Sequence, residues 1–158
     1  MRAKTFQGGV HLHYHKEATA SKPIVEMPEP KQVILPVQQH IGAPAEVCVQ
    51  VGDEVKIGDV VAKAKGFVSA SVHASIAGKV TAVGPMPHPG GRNVMAVTIE
   101  NDGSGATSFA AGKELDALSG DELKQLMQDI GLVGMGGGGV LRLLPGAAAA
   151  RQRAGVAG

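Results

Sequence analysis

Three features of this chain could do chemistry: alternating histidines, a single cysteine and a glycine-rich run near the C-terminus. His11, His13 and His15 alternate, so in an extended strand they would share one face, and three imidazoles could hold zinc or nickel. Histidine clusters at a terminus are more often solvated than liganded, so the sequence predicts no metal site. Cys48 is the only cysteine, which excludes an internal disulfide, an iron–sulfur cluster and a four-cysteine zinc site.

The glycine-rich run holds the candidate cofactor-binding residues, Gly134, Gly136 and Gly137. Glycines let backbone amides approach a phosphate or a flavin closely. The run lacks the body of a nucleotide-binding domain, so we expect no cofactor in this chain alone. No catalytic residue is predicted, because no G-x-S-x-G motif supports a serine–histidine–aspartate set. Glu100 and Asp102 stand at a strand end and look like turn residues, not an acid/base pair.

The composition of the chain argues against some classes of function. The net charge is +1 with both signs mixed, which gives no electrostatic footprint for nucleic acid. No run of 18 apolar residues exists, so no direct membrane span is predicted. A lone thiol without a signal peptide fits a cytoplasmic protein. With three Phe, one Tyr and no Trp, any core must be built from Val, Ile, Leu, Ala and Met.

The chain divides into five segments. Residues 1–37 are proline-rich and predict an extended arm, although Val33-Ile34-Leu35 is typical of a short strand. Residues 38–102 alternate apolar and polar positions in short strands separated by glycine turns. Residues 103–118 indicate a polar linker. Residues 119–137 predict a helix and the glycine-rich start of an incomplete nucleotide-binding domain, and 138–158 a low-complexity, disordered tail.

The helix has clear end signals. Ser119 and Glu122 make a capping box, and Gly131 stands where a left-handed residue closes a helix, with Leu132 as its apolar companion. One stripe of this helix is apolar, formed by Leu123, Leu126, Met127 and Ile130.

The most specific pattern is V-x-V-G-D-x-V-x-x-G-D-V-V-A, which runs from Val49 to Ala62. It places two Gly-Asp turns six residues apart, and each aspartate can bond neighbouring backbone amides. In the first strand Val47, Val49 and Val51 would share one face, opposite Cys48 and Gln50. The pattern resembles the hammerhead hairpin of lipoyl- and biotinyl-type domains, and the segment 74–80 looks like their S-P-x-x-G-x-V. The resemblance implies a mainly β barrel-sandwich hybrid, with an extended N-terminal arm and one C-terminal helix.

Carrier domains of that shape bear a modified lysine at the hairpin tip. Alignment back from Ala77-Gly78 puts that position on Phe67, and Lys65 is two residues away. A swinging arm needs its lysine at the exposed tip, so Phe67 there suggests docking, although it could also cover the sandwich end. A carrier with lipoyl or biotin on Lys65 remains an alternative.

Motifs in order from Thr5 to Gly103 resemble the RnfC family, which supplies one subunit of the Rnf-type ion-translocating electron transport complex. They are T-F-x-G-G-hydrophobic-H from Thr5, Q-H-I-G-A-P from Gln39, G-x-V-S-A-x-V-H-A-S from Gly66, P-H-P from Pro87 and I-E-N-D-G from Ile99.

Members of that family are longer. The resemblance implies that a flavin- and NADH-binding Rossmann-like domain, a β-grasp domain and two four-iron–four-sulfur clusters follow the sandwich. The parent would thus carry FMN, NADH and two 4Fe-4S clusters. The family's loop is like G-L-x-G-x-G-G-A-G-F-P-T, and this chain departs from it after Gly137. Our hypothesis is a gene truncated or frameshifted at that point.

We therefore expect the N-terminal scaffold or docking part of an electron transport protein. The intact parent would be an ion-translocating oxidoreductase passing electrons from NADH through flavin to iron–sulfur clusters, and this chain alone would catalyse nothing. Its partners would be the other subunits of the membrane complex, which would hold it at the cytoplasmic side of the cell membrane. The alternatives are the lipoyl or biotinyl carrier and a metal-binding or efflux-adaptor-like module.

Overall fold

The computed structural model describes residues 13–112, 114 and 118–134. His11, Gly136, Gly137 and the tail 138–158, which figure in the sequence-based expectations, lie outside the described residues.

The described chain is mainly β, with one helix. The elements in chain order are β1 (Gln32–Pro36), β2 (Glu46–Val47), β3 (Glu54–Val55), β4 (Val60–Lys63), β5 (Val72–His73), β6 (Gly78–Pro87), β7 (Asn93–Asn101) and α1 (Gly120–Asp129). Antiparallel pairing joins β1-β7-β6-β3 into one sheet and β2-β4-β5 into another. The prediction of a mainly β sandwich with one C-terminal helix is confirmed.

The core lies between the two sheets and is built from small branched side chains. Val61, Val80, Val97 and Ile99 have no exposed surface. The remaining buried members are Val37, Ala45, Val55, Ala62, Val72, Ala74 and Ile76. Successive side chains of a strand point to opposite faces, so Val97 and Ile99, two residues apart on β7, both face the core.

The two Gly-Asp turns, Gly52-Asp53 and Gly58-Asp59, have the same construction. Their glycines have φ of +101° and +97°, a region that favours glycine over residues with a side chain. The first aspartate accepts a hydrogen bond from the backbone N–H of Gln50 at 2.9 Å, and the second from that of Lys56 at 2.7 Å. The predicted role of these aspartates is confirmed.

Each of these turns also binds the other half of the domain. In the first turn, Gly52 N–H donates to the carbonyl of Val80, and Val80 N–H donates to the carbonyl of Asp53, both at 2.8 Å. The second turn makes the equivalent pair of bonds with Ala74, at 2.9 and 2.8 Å. The two half-motifs are thus closed over each other by four backbone hydrogen bonds.

Two segments outside residues 38–102 also join the sandwich. Strand β1 lies within the segment 1–37, and its Val33 and Leu35 pair with Ile99 and Val97 of β7 and pack against the core. Within 103–118, Ala106 accepts from Ile57 N–H at 2.9 Å and Ser108 donates to Ile57 at 2.8 Å. These bonds hold the start of that segment along the second turn.

Two aspects of the first strand differ from expectation. Of the predicted valine face, Val47 and Val49 pack against the core, but Val51 is 61% exposed. The regular strand β2 covers only Glu46–Val47, and the chain then bends toward the turn at Gly52. The alternation is therefore lost before it reaches Val51.

Helix α1 has the predicted ends. Ser119 accepts from Glu122 N–H, and the Glu122 carboxylate accepts from Ser119 N–H at 2.8 Å, which is a capping box. Gly131, with φ of +71°, and Leu132 close the other end, since Leu132 N–H donates to Met127 at 2.9 Å. None of the helix residues is buried.

Candidate functional site

The tip of the sandwich, residues 65–71, lies between β4 and β5 and holds Phe67, the residue that the sequence alignment sets at the carrier-lysine position. Phe67 is 73% exposed there. Lys65 lies nearer the sandwich body, where its Nζ is 3.3 Å from Glu46 Oε2 in an exposed ion pair. Its backbone N–H donates to the fully buried Ser69 hydroxyl at 3.0 Å. The tip thus presents an aromatic ring to solvent and keeps its lysine beside an acid.

His40 fastens the preceding loop, residues 38–45, to the tip. It is only 8% exposed, and its Nε2 accepts a hydrogen bond from the backbone N–H of Ala70 at 3.0 Å. The other ring nitrogen, Nδ1, lies 2.9 Å from the carbonyl of Ile41 and donates to it. Because Nε2 must accept, the ring is neutral with its hydrogen on Nδ1. Both nitrogens are used by backbone groups, so His40 has a structural role.

A close backbone approach holds the same loop on the other side of the tip. Ala43 N–H donates to the carbonyl of Val68 at 2.9 Å. A Cβ at Gly42 would lie 2.2 Å from that same oxygen, and Gly42 has φ of +98°. Only glycine fits there, which explains the glycine of the Q-H-I-G-A-P motif.

The end of α1 binds the tip by polar groups. Gln128 Nε2 donates to the carbonyl of Gly66 at 2.7 Å, and Ser71 N–H donates to the carbonyl of Gln128 at 3.1 Å. At Gly131 a Cβ would come within 2.4 Å of the Ser71 carbonyl oxygen. The end of the helix, where the glycine-rich run begins, is therefore fixed on the sandwich. No pattern in the sequence indicated Gln128, Gly66 and Ser71 as a contact set, because such a contact joins positions about 60 residues apart.

A cleft of about 280 Å³ lies between this helix end and β5. Its lining includes His40, His73, Ser75, Gly131 and Val133. His73 is half-buried, but no carboxylate or thiol lines the cleft beside it. Among its lining residues the cleft therefore offers no histidine–carboxylate pair and no thiol nucleophile.

The candidate cofactor-binding glycines lie at the edge of the described part of the chain. Of the three candidate glycines only Gly134 is described, and it is half-buried just beyond the cleft. The helix end that precedes it is a C-terminus, which carries partial negative charge and disfavours a phosphate. No chemical step through a cofactor follows from these residues.

Other candidate residues have ordinary surroundings. Cys48 is exposed and donates to the carbonyl of Val60 at 3.2 Å. Desolvation raises the pKa of its thiol, against an opposing backbone hydrogen bond and the charge of Lys63, so thiolate formation is disfavoured. Asp102 accepts from Ser104 N–H at 2.8 Å, as a turn residue does.

The His13 and His15 rings have centroids 6.1 Å apart. Among the residues that the structure describes, no three His, Cys, Asp or Glu side chains are grouped so as to hold a metal ion. In the same part of the chain, no helix has the length and apolar character needed to cross a bilayer.

These features define a class: a barrel-sandwich hybrid whose tip is fastened by its own loop and helix and carries the exposed Phe67. A family model for the RnfC barrel sandwich hybrid domain matches residues 4–104. The chain belongs to this family, as the resemblance in its motifs predicted.

Curated relatives agree with the family match. The chain is 45% identical over 136 residues to the C subunit of a proton-translocating ferredoxin:NAD(+) oxidoreductase complex from Clostridium ljungdahlii, covering 85% of this chain and 30% of that protein. It is 43% identical over 135 residues to the C subunit of the Na(+)-translocating complex of Acetobacterium woodii, covering 84% and 30%. The C subunit of an ion-translocating oxidoreductase complex from Rhodobacter capsulatus is 38% identical over 144 residues, covering 87% and 27%. The chain spans less than a third of the length of these relatives.

Proposed function

We propose that this chain is the N-terminal scaffold part of the RnfC subunit of an ion-translocating ferredoxin:NAD(+) oxidoreductase complex. Its task is to hold the start of the glycine-rich segment in a fixed position and to help dock the subunit to its neighbours. Membership of the RnfC family and the names of the three relatives support this assignment.

The observation that carries the proposal is the polar contact between the tip and the end of α1. In a carrier domain the tip must move freely between active sites. Here the carbonyl of Gly66 and the N–H of Ser71 are both bonded to Gln128. A tip used in this way is suited to positioning the segment that follows it.

The wider function belongs to the proposed parent. In it, electrons pass between NADH and two 4Fe-4S clusters through FMN, and the relatives' names give ferredoxin as the donor and NAD(+) as the acceptor. The transfer is coupled to ion movement. The sandwich itself lies on the cytoplasmic side, held to the membrane by the other subunits. Phe67, exposed at the tip, is the side chain that we assign to contact with one of those subunits.

A chimera tests the proposal. Residues 1–134 would replace the matching N-terminal region of the Acetobacterium woodii protein, and co-purification of the other subunits with a tagged chimera would be measured. We expect the complex to assemble. Gly131→Ala in the chimera should lower recovery of the complex several-fold. The new Cβ would lie 2.4 Å from the Ser71 carbonyl oxygen, and alanine would have to adopt the φ of +71° that favours glycine.

Gly120→Ala is the matched control. Gly120 is at the opposite end of the helix from Gly131, and apart from the helix's own backbone nothing lies within 4 Å of the added Cβ. The substitution should leave assembly unaltered. A chimera that fails to assemble with the glycines intact would contradict the scaffold role. Stoichiometric flavin in the purified 158-residue chain would also contradict it, because the chain would then hold the cofactor alone.

A further inference from the structure

A second cleft, of about 510 Å³, lies between the loop 38–45 and the hairpin that joins β6 to β7. Two motifs of the family resemblance meet there, Q-H-I-G-A-P and P-H-P, although about 50 residues separate them in the chain. The structural roles of His40 and Gly42 leave Ile41 and His88 of these motifs without a task. The side chains that determine the chemistry of the cleft are Gln38, Gln39, Ile41, His88, Arg92 and Val94.

The hairpin contributes Arg92 with its charge unmatched. The backbone of this residue is held, because His88 N–H donates to the carbonyl of Arg92 at 3.0 Å and Gly91 N–H donates to the carbonyl of His88 at 2.9 Å. The Arg92 side chain is exposed, and it makes no hydrogen bond or ion pair with any described residue. No carboxylate lines the cleft, so its positive charge is not compensated there.

His88 adds a neutral donor to the same cleft. Its Nδ1 accepts a hydrogen bond from Gly90 N–H at 3.0 Å, so the neutral ring has its hydrogen on Nε2. No residue in the described part of the chain accepts from that nitrogen. The guanidinium of Arg92 has its N–H donors in a planar fork that fits the two oxygens of a carboxylate. The cleft is therefore suited to an oxyanion.

The opposite wall of the cleft is held in place and partly apolar. Gln38 Nε2 donates to the carbonyl of Gly42 at 3.1 Å, and Gln39 Nε2 donates to the carbonyl of Pro36 at 3.0 Å. Between these bonds Ile41 is 47% exposed. The same loop is hydrogen-bonded to the tip, so the cleft is continuous with the proposed docking surface.

A protein carboxylate fits this cleft better than an anionic lipid or a free phosphate. Segments that bind anionic lipid have several clustered lysines and arginines, whereas Arg92 is the one full charge among the lining residues. Arg92 and Ile41 are both exposed, and the attraction of one exposed arginine for a free ion is weak in water. A protein partner would exclude water from the pair and would contact the apolar wall as well.

We infer that this cleft is the docking site for an aspartate or glutamate side chain of a neighbouring subunit. Arg92 binds the carboxylate through two parallel hydrogen bonds, and His88 Nε2–H donates a third. Ile41 and Val94 contact the apolar part of the partner segment. The inference deepens the proposed function and rests on it.

Chemical cross-linking in the Acetobacterium woodii chimera tests the inference directly. Arg92→Lys places an amine in the cleft, and a carbodiimide joins an amine to a carboxylate that is in contact with it. We expect mass spectrometry of the assembled complex to find position 92 joined to an aspartate or glutamate of another subunit.

Lys31 is the matched control for this experiment. It is exposed, has no ion pair with a described residue and lies opposite Asn101, roughly 30 Å from Arg92 at the other end of β7. Its cross-links to other subunits should be fewer by at least about fivefold.

Charge reversal provides a second readout. Arg92→Glu should lower recovery of the other subunits by at least about fivefold, because two carboxylates would then face each other. Lys31→Glu makes the same change in charge and should leave recovery unaltered. In the 158-residue chain both variants should keep the urea midpoint of the unsubstituted chain, so that a loss of recovery is not a loss of folding.

The inference would be overturned by a complex in which position 92 forms no cross-link to another subunit, or by equal recovery of Arg92→Glu and Lys31→Glu. Saturable binding of inorganic phosphate at the cleft would also overturn it, as would sedimentation with phosphatidylglycerol vesicles that Arg92→Glu abolishes. A chimera that fails to assemble with Arg92 intact would contradict the scaffold role and the inference together. One that assembles equally in every variant would refute the cleft alone.

Discussion

The sandwich and helix α1 are stabilised in opposite ways. The sandwich encloses Val61, Val80, Val97 and Ile99 completely, whereas α1 has no buried residue and is held at one end by hydrogen bonds. Burial of apolar area is the main favourable term in folding, so the sandwich can fold on its own core. The helix depends on the sandwich for its position. The family match, which covers residues 4–104, therefore falls almost entirely on the self-sufficient part of the chain.

The largest expected effect comes from breaking the sandwich at Gly78, where β6 begins. A Cβ at this position would lie 1.8 Å from the carbonyl oxygen of Glu100, so neighbouring backbone would have to move. Gly78→Ala should cost about 3 kcal/mol or more of the free energy of unfolding. Urea denaturation followed by circular dichroism measures this, and the helix signal should be lost together with the strand signal.

Gly84→Ala is the matched control in the same strand. Nothing lies within 4 Å of its added Cβ, so the free energy of unfolding should be unchanged or rise by about 0.5 kcal/mol. A Gly78→Ala protein as stable as this control would contradict the close approach of β6 to Glu100. Helix signal that survives loss of the strands would contradict the dependence of α1 on the sandwich.

An intermediate effect is expected at the loop that fastens the tip. His40→Ala removes the acceptor for the N–H of Ala70, which is 2% exposed, and leaves that donor unsatisfied. The cost should be about 2 kcal/mol. His88→Ala makes the same chemical change where the ring accepts from Gly90 N–H in an exposed hairpin, and should cost no more than about 0.5 kcal/mol. Thermal unfolding of both variants gives the comparison, and equal losses would show that burial of the histidine is not what matters.

Local patterns in the sequence were sufficient to predict the turns and helix ends. Gly52-Asp53, Gly58-Asp59 and the Ser119–Glu122 capping box depend on neighbours within three residues, and all have the predicted hydrogen bonds. Of the two roles that the sequence left open for Phe67, its 73% exposure fits docking better than covering the sandwich end.

Long-range contacts could not be predicted in the same way. The contact between Gln128 and Gly66 is specified by how the helix lies on the tip, and a glutamine at a helix end has no distinctive signature. The place of β1 in the sheet depends on pairing with β7, about 60 residues along the chain. The use of His40 as an acceptor for Ala70 likewise becomes evident only when the loop and the tip are together.

The smallest effect concerns the first turn of the helix. A hydrogen bond from Lys124, together with its positive charge, lowers the pKa of Asp121, while hydrogen bonds from Ser104 lower the pKa of Asp102 on the sandwich side. A carboxyl whose folded pKa is below its unfolded value contributes stability above the unfolded pKa and loses it as the pH falls through the folded pKa. Acid should therefore weaken the helix start only when the pH is below the usual pKa of aspartate. The effect should be slight, because Asp121 is fully exposed.

Carboxyl-carbon NMR titration of Lys124→Gln should show the pKa of Asp121 returning toward its usual value and that of Asp102 unchanged. A common shift of both carboxyls would mean that the net charge of the protein sets these pKa values, and the two regions would then not be independent in this respect.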